Sequence, residues 1–182
     1  RLKTAVAFSS HRAKNGEISL DAADFKYGAN ALQIFKVADN GCPAVLRFAP
    51  DFTVELLNGK KITLSSLQEK ALMLIFFSTG CPDCQAQFSE MQRLVSQSEP
   101  RFRIIAISRA ESRETTAAFI QKYGLNIDVG IDPDRSIYDK YATHFVPRNY
   151  LIDNFGEIKA LTVEYLPNEF HSIWQQAEDL AR

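Results

Sequence analysis

The 182-residue chain carries 21 basic and 22 acidic side chains, a formal charge of -1, with 46% hydrophobic and 24% charged residues. That balance excludes disorder along the whole chain and, with 8 Gly and 7 Pro, a collagen-like or low-complexity chain, and it offers no bulk attraction for nucleic acid or an anionic membrane. Three cysteines are too few to staple a disulfide-rich mini-fold, and a chain of this length needs no staples.

Residues 1–48 hold short apolar or alternating runs at 4–8, 17–20, 31–37 and 44–48, punctuated by Asn15-Gly16 and Asp39-Asn40-Gly41. They predict a β-rich N-terminal extension, either packed on the domain that follows or serving as a partner- or substrate-binding platform, with no motif to assign it a role. A chain that begins at Arg1 rather than Met reads as processed or truncated, so any export signal or lipid anchor would have lain upstream. The longest apolar run, 71–77, is too short to span a bilayer.

Residues 49–182 are more regular. The runs 52–56 and 62–64 flank Asn58-Gly59, a hairpin signal. The run 71–77 (ALMLIFF) reads as a central strand covered on both faces. Residues 82–97 read as a helix, with Phe88, Met91 and Val95 at helical spacing. Residues 101–108 (RFRIIAIS) form a second buried strand, Ser112 caps a helix reaching Tyr123, and Gly124 ends it. A third strand is expected at 127–131 and a short helix at 136–141. Strands follow at 149–152 and 157–163, and a last helix at 168–181 places Phe170, Ile173, Trp174 and Ala177 on one face. This alternation predicts an α/β domain with a central sheet, largely parallel in its core, helices on both faces and an antiparallel hairpin at its edge.

Cys81-Pro82-Asp83-Cys84 falls directly between the buried strand and the helix. Pro82 suits the first helical position, which puts Cys81 at or next to the N-cap. There its sulfur can accept first-turn N–H groups, that of Cys84 included, at the positive end of the helix dipole. Both effects favour the thiolate, the nucleophile of disulfide exchange, whereas the charge of Asp83 opposes it. Cys84, one turn on and turned inward, is placed to resolve the mixed disulfide that Cys81 forms. Zinc is the weaker reading because Cys42, His11, His144 and His171 form no second ligand pair, and a structural disulfide across so short a loop would constrain little. His144 reads as a surface loop residue, Cys42 as a spare thiol, and Arg109, Glu111, Arg113 and Glu114 as a solvated charged start to a helix.

Several segments carry a resemblance over residues 49–182. They are Ala49-Pro50-Asp51-Phe52 with Asn58-Gly59-Lys60, Phe76-Phe77-Ser78-Thr79-Gly80 running into C-x-x-C, Ile131-Asp132-Pro133-Asp134, and Val146-Pro147-Arg148-Asn149 through Gly156. In that order they resemble the thioredoxin superfamily, and within it the exported TlpA/ResA-like thiol–disulfide oxidoreductases. The resemblance implies a thioredoxin-like fold with a central mixed sheet flanked by helices, an N-terminal hairpin and an internal strand–helix insertion. It makes Pro147 a cis-proline beside the sulfurs, with the backbone of Val146 offered to a substrate strand. Two acids usual in relatives are replaced, one by Ile75 six residues before Cys81 and the other by Gln87 six residues after it. Phe77 and Gly80 stand where relatives carry tryptophans. The peroxiredoxin pattern, with Pro seven and Thr three residues before its cysteine, meets Leu74 and Ser78 here.

The resulting expectation is a thiol–disulfide oxidoreductase of the bacterial periplasm or cell envelope. Cys81 and Cys84 react, Pro82, Asp83, Phe77, Gly80 and Gln87 are their neighbours, and Val146 and Pro147 bind substrate. Its only cofactor would be the redox-active disulfide between Cys81 and Cys84, without a metal. Its partners would be protein thiols and disulfides and an upstream redox partner, with no nucleic acid and no membrane span. The direction of electron flow is open. The alternatives are a redox-silent partner-binding module of the same fold and a thiol peroxidase.

Overall fold

The computed structural model describes residues 47–67 and 69–182. The expected β-rich extension, except for Arg47 and Phe48, lies outside the described residues, and so do Cys42 and His11.

Asn58 and Gly59 make the first turn. Gly59 has φ 81°, in the region open to glycine, and the Asn58 carboxamide oxygen accepts the Lys60 N–H at 3.0 Å. The turn joins β1 (Thr53–Leu56) to β2 (Lys61–Thr63). β3 (Ala71–Phe77) is buried at all seven positions, as a continuous apolar run in a central strand should be. It leads into α1 (Pro82–Gln97), then β4 (Arg103–Arg109). In α2 (Arg113–Tyr123) the Ser112 side chain accepts the Thr115 N–H, and Gly124, left-handed at φ 59°, closes the C-terminus. β5 (Asp128–Asp132), β6 (Arg148–Asp153), β7 (Ile158–Val163) and α3 (Pro167–Leu180) complete the order.

The seven strands form one mixed sheet in the order β2-β1-β5-β4-β3-β6-β7. Only the β3–β4 and β4–β5 pairs are parallel, so the core is less parallel than the alternating pattern predicts. The N-terminal hairpin docks antiparallel on β5 and the last hairpin returns antiparallel beside β3. Gly130 permits the first docking: a Cβ there would stand 2.5 Å from a Val54 methyl. The helix expected at 136–141 is a single 3-10 turn, Tyr138–Lys140. The Asp132 carboxylate accepts the N–H groups of Ile137 at 3.1 Å and Tyr138 at 2.7 Å, which ties the segment to the end of β5 instead of letting it extend.

Strand alternation divides the core. Phe77 packs on Phe88 of α1 and Phe119 of α2, with centroids 4.7 and 5.5 Å away. Its neighbour Phe76 points to the other face and meets Tyr138, Tyr141 and Tyr150. That face is covered by the segment around the 3-10 turn rather than by a long helix. Each buried ring contributes about 1.5–3 kcal/mol through the area it removes from water. At the N-terminal end of β4, Phe102 meets Trp174 of α3 edge-on at 5.0 Å. α3 lies beside α1, with the His171 Nε2 against the Glu90 carboxylate.

Candidate active site

Cys81 is the N-cap of α1, with extended backbone (φ -83°, ψ 120°), and Pro82 follows at the first helical position. The cap is the sulfur itself, which accepts the Cys84 N–H at 3.4 Å. Cys81 is partly exposed, whereas Cys84 is buried; both are free thiols. Burial pushes the Cys84 thiol well above its ordinary value. The Ser78 N–H, which points at its sulfur at 3.5 Å, opposes the shift, while Cys81 and Asp83 add to it. One sulfur is therefore accessible and hydrogen-bonded as an acceptor, and the other is shielded and held as a thiol.

The Val146–Pro147 peptide bond is cis, and the Cys81 thiol donates to the Val146 carbonyl oxygen at 3.4 Å. The Pro147 carbonyl oxygen accepts the Glu164 N–H at 2.8 Å. The structure thus brings Cys81, Cys84, Val146 and Pro147 together from two segments 65 residues apart.

A model of the AhpC/TSA family matches residues 45–161. The chain belongs to the AhpC/TSA family. This AhpC/TSA protein is 33% identical over 111 residues to a thiol-disulfide oxidoreductase, ResA, of Bacillus subtilis, covering 60% of the chain and 62% of that relative. A ResA of Halalkalibacterium halodurans matches similarly, with 33% identity over 60% of the chain and 63% of the relative. The chain thus spans less than two thirds of the length of these curated relatives. Among solved structures, a Bacteroides thetaiotaomicron protein provisionally described as a protein disulfide isomerase superposes with TM-score 0.68 and 37% identity, over 78% of this chain and 92% of that one. A Chlorobium tepidum protein described as a thiol:disulfide interchange protein DsbE shares the fold, with TM-score 0.66 and 21% identity, over 79% of this chain and 99% of that one. The fold is thioredoxin-like, as the sequence resemblance implies.

Other expected neighbours of the AhpC/TSA protein's cysteines divide by burial. Pro82 is exposed and Asp83 half-exposed in the first turn of α1, where a carboxylate suits the positive helix end. Gly80 is exposed, and a Cβ on it would meet nothing within 4 Å. Phe77 is fully buried in the aromatic core. Gln87 is equally buried: its amide and that of Asn149 bond reciprocally at 2.8 and 2.9 Å, and Asn149 also donates to the Thr162 hydroxyl at 2.8 Å. The position where the resemblance leads one to expect an acid is here a neutral tie between α1, β6 and β7. His144 is exposed, with Nδ1 2.7 Å from the Thr143 hydroxyl.

The charged start of α2 is not the solvated face that the sequence suggests. Arg113 donates to the carbonyl oxygens of Leu56 (3.1 Å) and Leu57 (2.8 Å) and pairs with Glu55. Arg109 lies over the Tyr138 ring, 4.9 Å from its centroid. Glu111 accepts from the Ser78 hydroxyl at 3.0 Å, the Thr79 hydroxyl at 2.7 Å and the Ser108 hydroxyl at 2.7 Å, and both its oxygens accept the Thr79 N–H, at 2.9 and 3.0 Å. Burial alone would raise its carboxyl; the hydrogen bonds from Ser108, Thr79 and Ser78 outweigh burial and hold it below the usual carboxylate value. Only Glu114 of this group is fully exposed. The signal for Glu111 was topological: Phe77 and Ser108 pair across the adjacent parallel strands, so the loops leaving their C-terminal ends are neighbours.

Among the described residues no group of His, Cys, Asp and Glu is arranged to hold a metal, and no helix is long and apolar enough to cross a membrane.

Proposed function

We propose that this protein is a thiol–disulfide oxidoreductase acting on protein disulfides through Cys81 and Cys84. The observation that carries this reading is the asymmetry of the pair. The accessible Cys81 sulfur caps α1 and accepts the Cys84 N–H, while Cys84 sits buried behind it. The relatives named thiol-disulfide oxidoreductases support it. Leu74 and Ser78 at the positions of the peroxidatic Pro and Thr favour dithiol exchange over peroxide reduction.

In the reducing direction the Cys81 thiolate attacks one sulfur of a substrate disulfide. That S–S bond breaks, the second substrate sulfur leaves as a thiolate, and a mixed disulfide remains on Cys81. Cys84 loses its proton and attacks the Cys81 sulfur, releasing the first substrate sulfur. The substrate has gained two electrons and the two protons lost by the enzyme thiols, and the enzyme holds a disulfide between Cys81 and Cys84. A partner dithiol then reverses this oxidation; run backwards, the same steps oxidise a substrate dithiol. Ionising Cys81 removes its hydrogen bond to Val146, which opens that carbonyl to an N–H of an extended substrate segment. Pro147 lacks an N–H, so this edge presents no backbone donor of its own beside that carbonyl. Stable protein disulfides are concentrated in oxidising compartments, and with the TlpA/ResA-like resemblance this supports a place in the bacterial periplasm or cell envelope.

Equilibration of the pair against glutathione and dithiothreitol buffers, with insulin reduction as the rate assay, tests the proposal. A potential near ~-270 mV marks a reductant and one near ~-120 mV an oxidant. A pair that exchanges with neither buffer overturns the reading.

A further inference from the structure

Residues 78–80 connect β3 to Cys81, and their backbone contacts both reactive residues. The Ser78 N–H points at the Cys84 sulfur at 3.5 Å, and the Ser78 carbonyl oxygen accepts the Cys81 N–H at 3.2 Å. A short exposed loop has little hold on its own conformation. This one is gripped from two sides. From α1, the Gln85 side chain donates to the Thr79 carbonyl oxygen at 2.9 Å. From the junction of β4 and α2, both oxygens of Glu111 bind the Ser78 and Thr79 donors, and Ser108 on the floor of the sheet completes the cradle. Ala110, left-handed at φ 60°, turns the chain between Ser108 and Glu111.

We propose that Glu111 is a positioning residue for the redox pair, holding the Ser78-Thr79 backbone so that it presents its N–H to Cys84 and its carbonyl to Cys81. The inference rests on the exchange reading above. Glu111 faces three hydroxyls and the Thr79 N–H, and that N–H, which can only donate, lies within reach of both carboxylate oxygens. A carboxylate accepts from all of them, whereas a glutamine of the same size turns an NH2 toward at least one donor. The chemistry of the cradle therefore specifies the charge as well as the length of this side chain. The Ser78 N–H stabilises the reduced Cys84 sulfur, so loosening the loop favours the disulfide.

The test compares reduced wild type, Glu111→Gln and Ser108→Ala for exchange rate with glutathione disulfide, equilibrium constant against glutathione, and urea midpoint. Glu111→Gln is expected to slow exchange per folded molecule about tenfold or more, as a misplaced reacting group does. It should also move the equilibrium about fivefold toward the disulfide, the worth of one ordinary hydrogen bond. Ser108→Ala removes one donor without touching residues 78–81 and should move both quantities the same way by less. A folded Glu111→Gln protein that matches wild type in rate and equilibrium overturns the inference. If that variant does not fold, a Ser108→Ala protein matching wild type in both does so. Wild type that fails to exchange at all overturns the oxidoreductase reading instead, so the two failures are distinguishable.

Discussion

The Cys81 thiol donates to the carbonyl oxygen of Val146, 65 residues further along the chain, at 3.4 Å. Its sulfur also accepts the Cys84 N–H at 3.4 Å. The first bond exists only while the proton is present, and the second strengthens when it leaves. Ionisation of one atom thus arms the nucleophile and vacates a backbone acceptor beside Pro147 in the same event.

The difference in exposure between the two sulfurs assigns separable roles. Replacing Cys81 by Ser should abolish exchange with glutathione disulfide. Replacing Cys84 by Ser should leave the attack intact and stop the second step, so that a mixed disulfide on Cys81 accumulates. Intact-mass measurement after brief treatment with glutathione disulfide reads both outcomes.

The reduced protein should lose stability in alkali. Burial raises the Cys84 thiol, so the folded state keeps a proton that the unfolded chain releases above its ordinary value of 9.0. The contribution is complete below pH ~9 and declines above it by about 1.4 kcal/mol per pH unit. The buried Tyr141 phenol, donating to the Pro50 carbonyl oxygen at 2.6 Å, adds a similar loss above 10.0. Urea midpoints of the reduced wild type between pH ~8 and ~10 should fall, and Cys84→Ala should flatten the earlier part of that fall.

The Gln87–Asn149 pair should show strong non-additivity. Asn149→Leu leaves the Gln87 amide buried without its partner and should cost about 1–3 kcal/mol. Adding Gln87→Leu removes the stranded group and should recover part of that loss. Denaturant unfolding of the two singles and the double gives the coupling directly.

Arg148 is buried at the start of β6, where its Nε reaches the His144 and Phe145 carbonyl oxygens at 3.1 and 3.2 Å and its Nη2 the His144 oxygen at 2.7 Å. Lysine cannot reproduce this planar grip. Arg148→Lys should destabilise the protein by about 1.5–3 kcal/mol and loosen the approach to Val146 and Pro147. Insulin reduction should then suffer more, through KM, than exchange with glutathione, because only an extended substrate uses that backbone.

The cysteine pair was legible in the sequence because its chemistry is local. A strand ending, a proline at the first helical position and a spacing of one turn place both sulfurs without reference to the rest of the molecule. The hairpin at Gly59 and the capping of α2 by Ser112 and Gly124 were legible for the same reason. Gln87 was visible as a departure from its relatives but not as a partner of Asn149 and Thr162, since those lie on strands paired only in the folded sheet. Glu111 looked solvated because helix-start charges usually are; apart from Ser108, its donors come from a loop more than 30 residues earlier in the sequence. The single turn at Tyr138–Lys140 likewise reflects Asp132 drawing back two N–H groups, a tertiary contact overriding a local helical pattern.

The chain has one tryptophan, and it packs on Phe102 beneath the start of β4, whereas Cys81 and Cys84 lie beyond the opposite ends of the paired β3 and β4. Seven strand residues span roughly 20 Å, too far for a sulfur to quench an indole by contact. Forming the Cys81–Cys84 disulfide should therefore leave the Trp174 emission unchanged, whereas unfolding should shift it. Stability and redox state can be recorded on the same sample by separate signals.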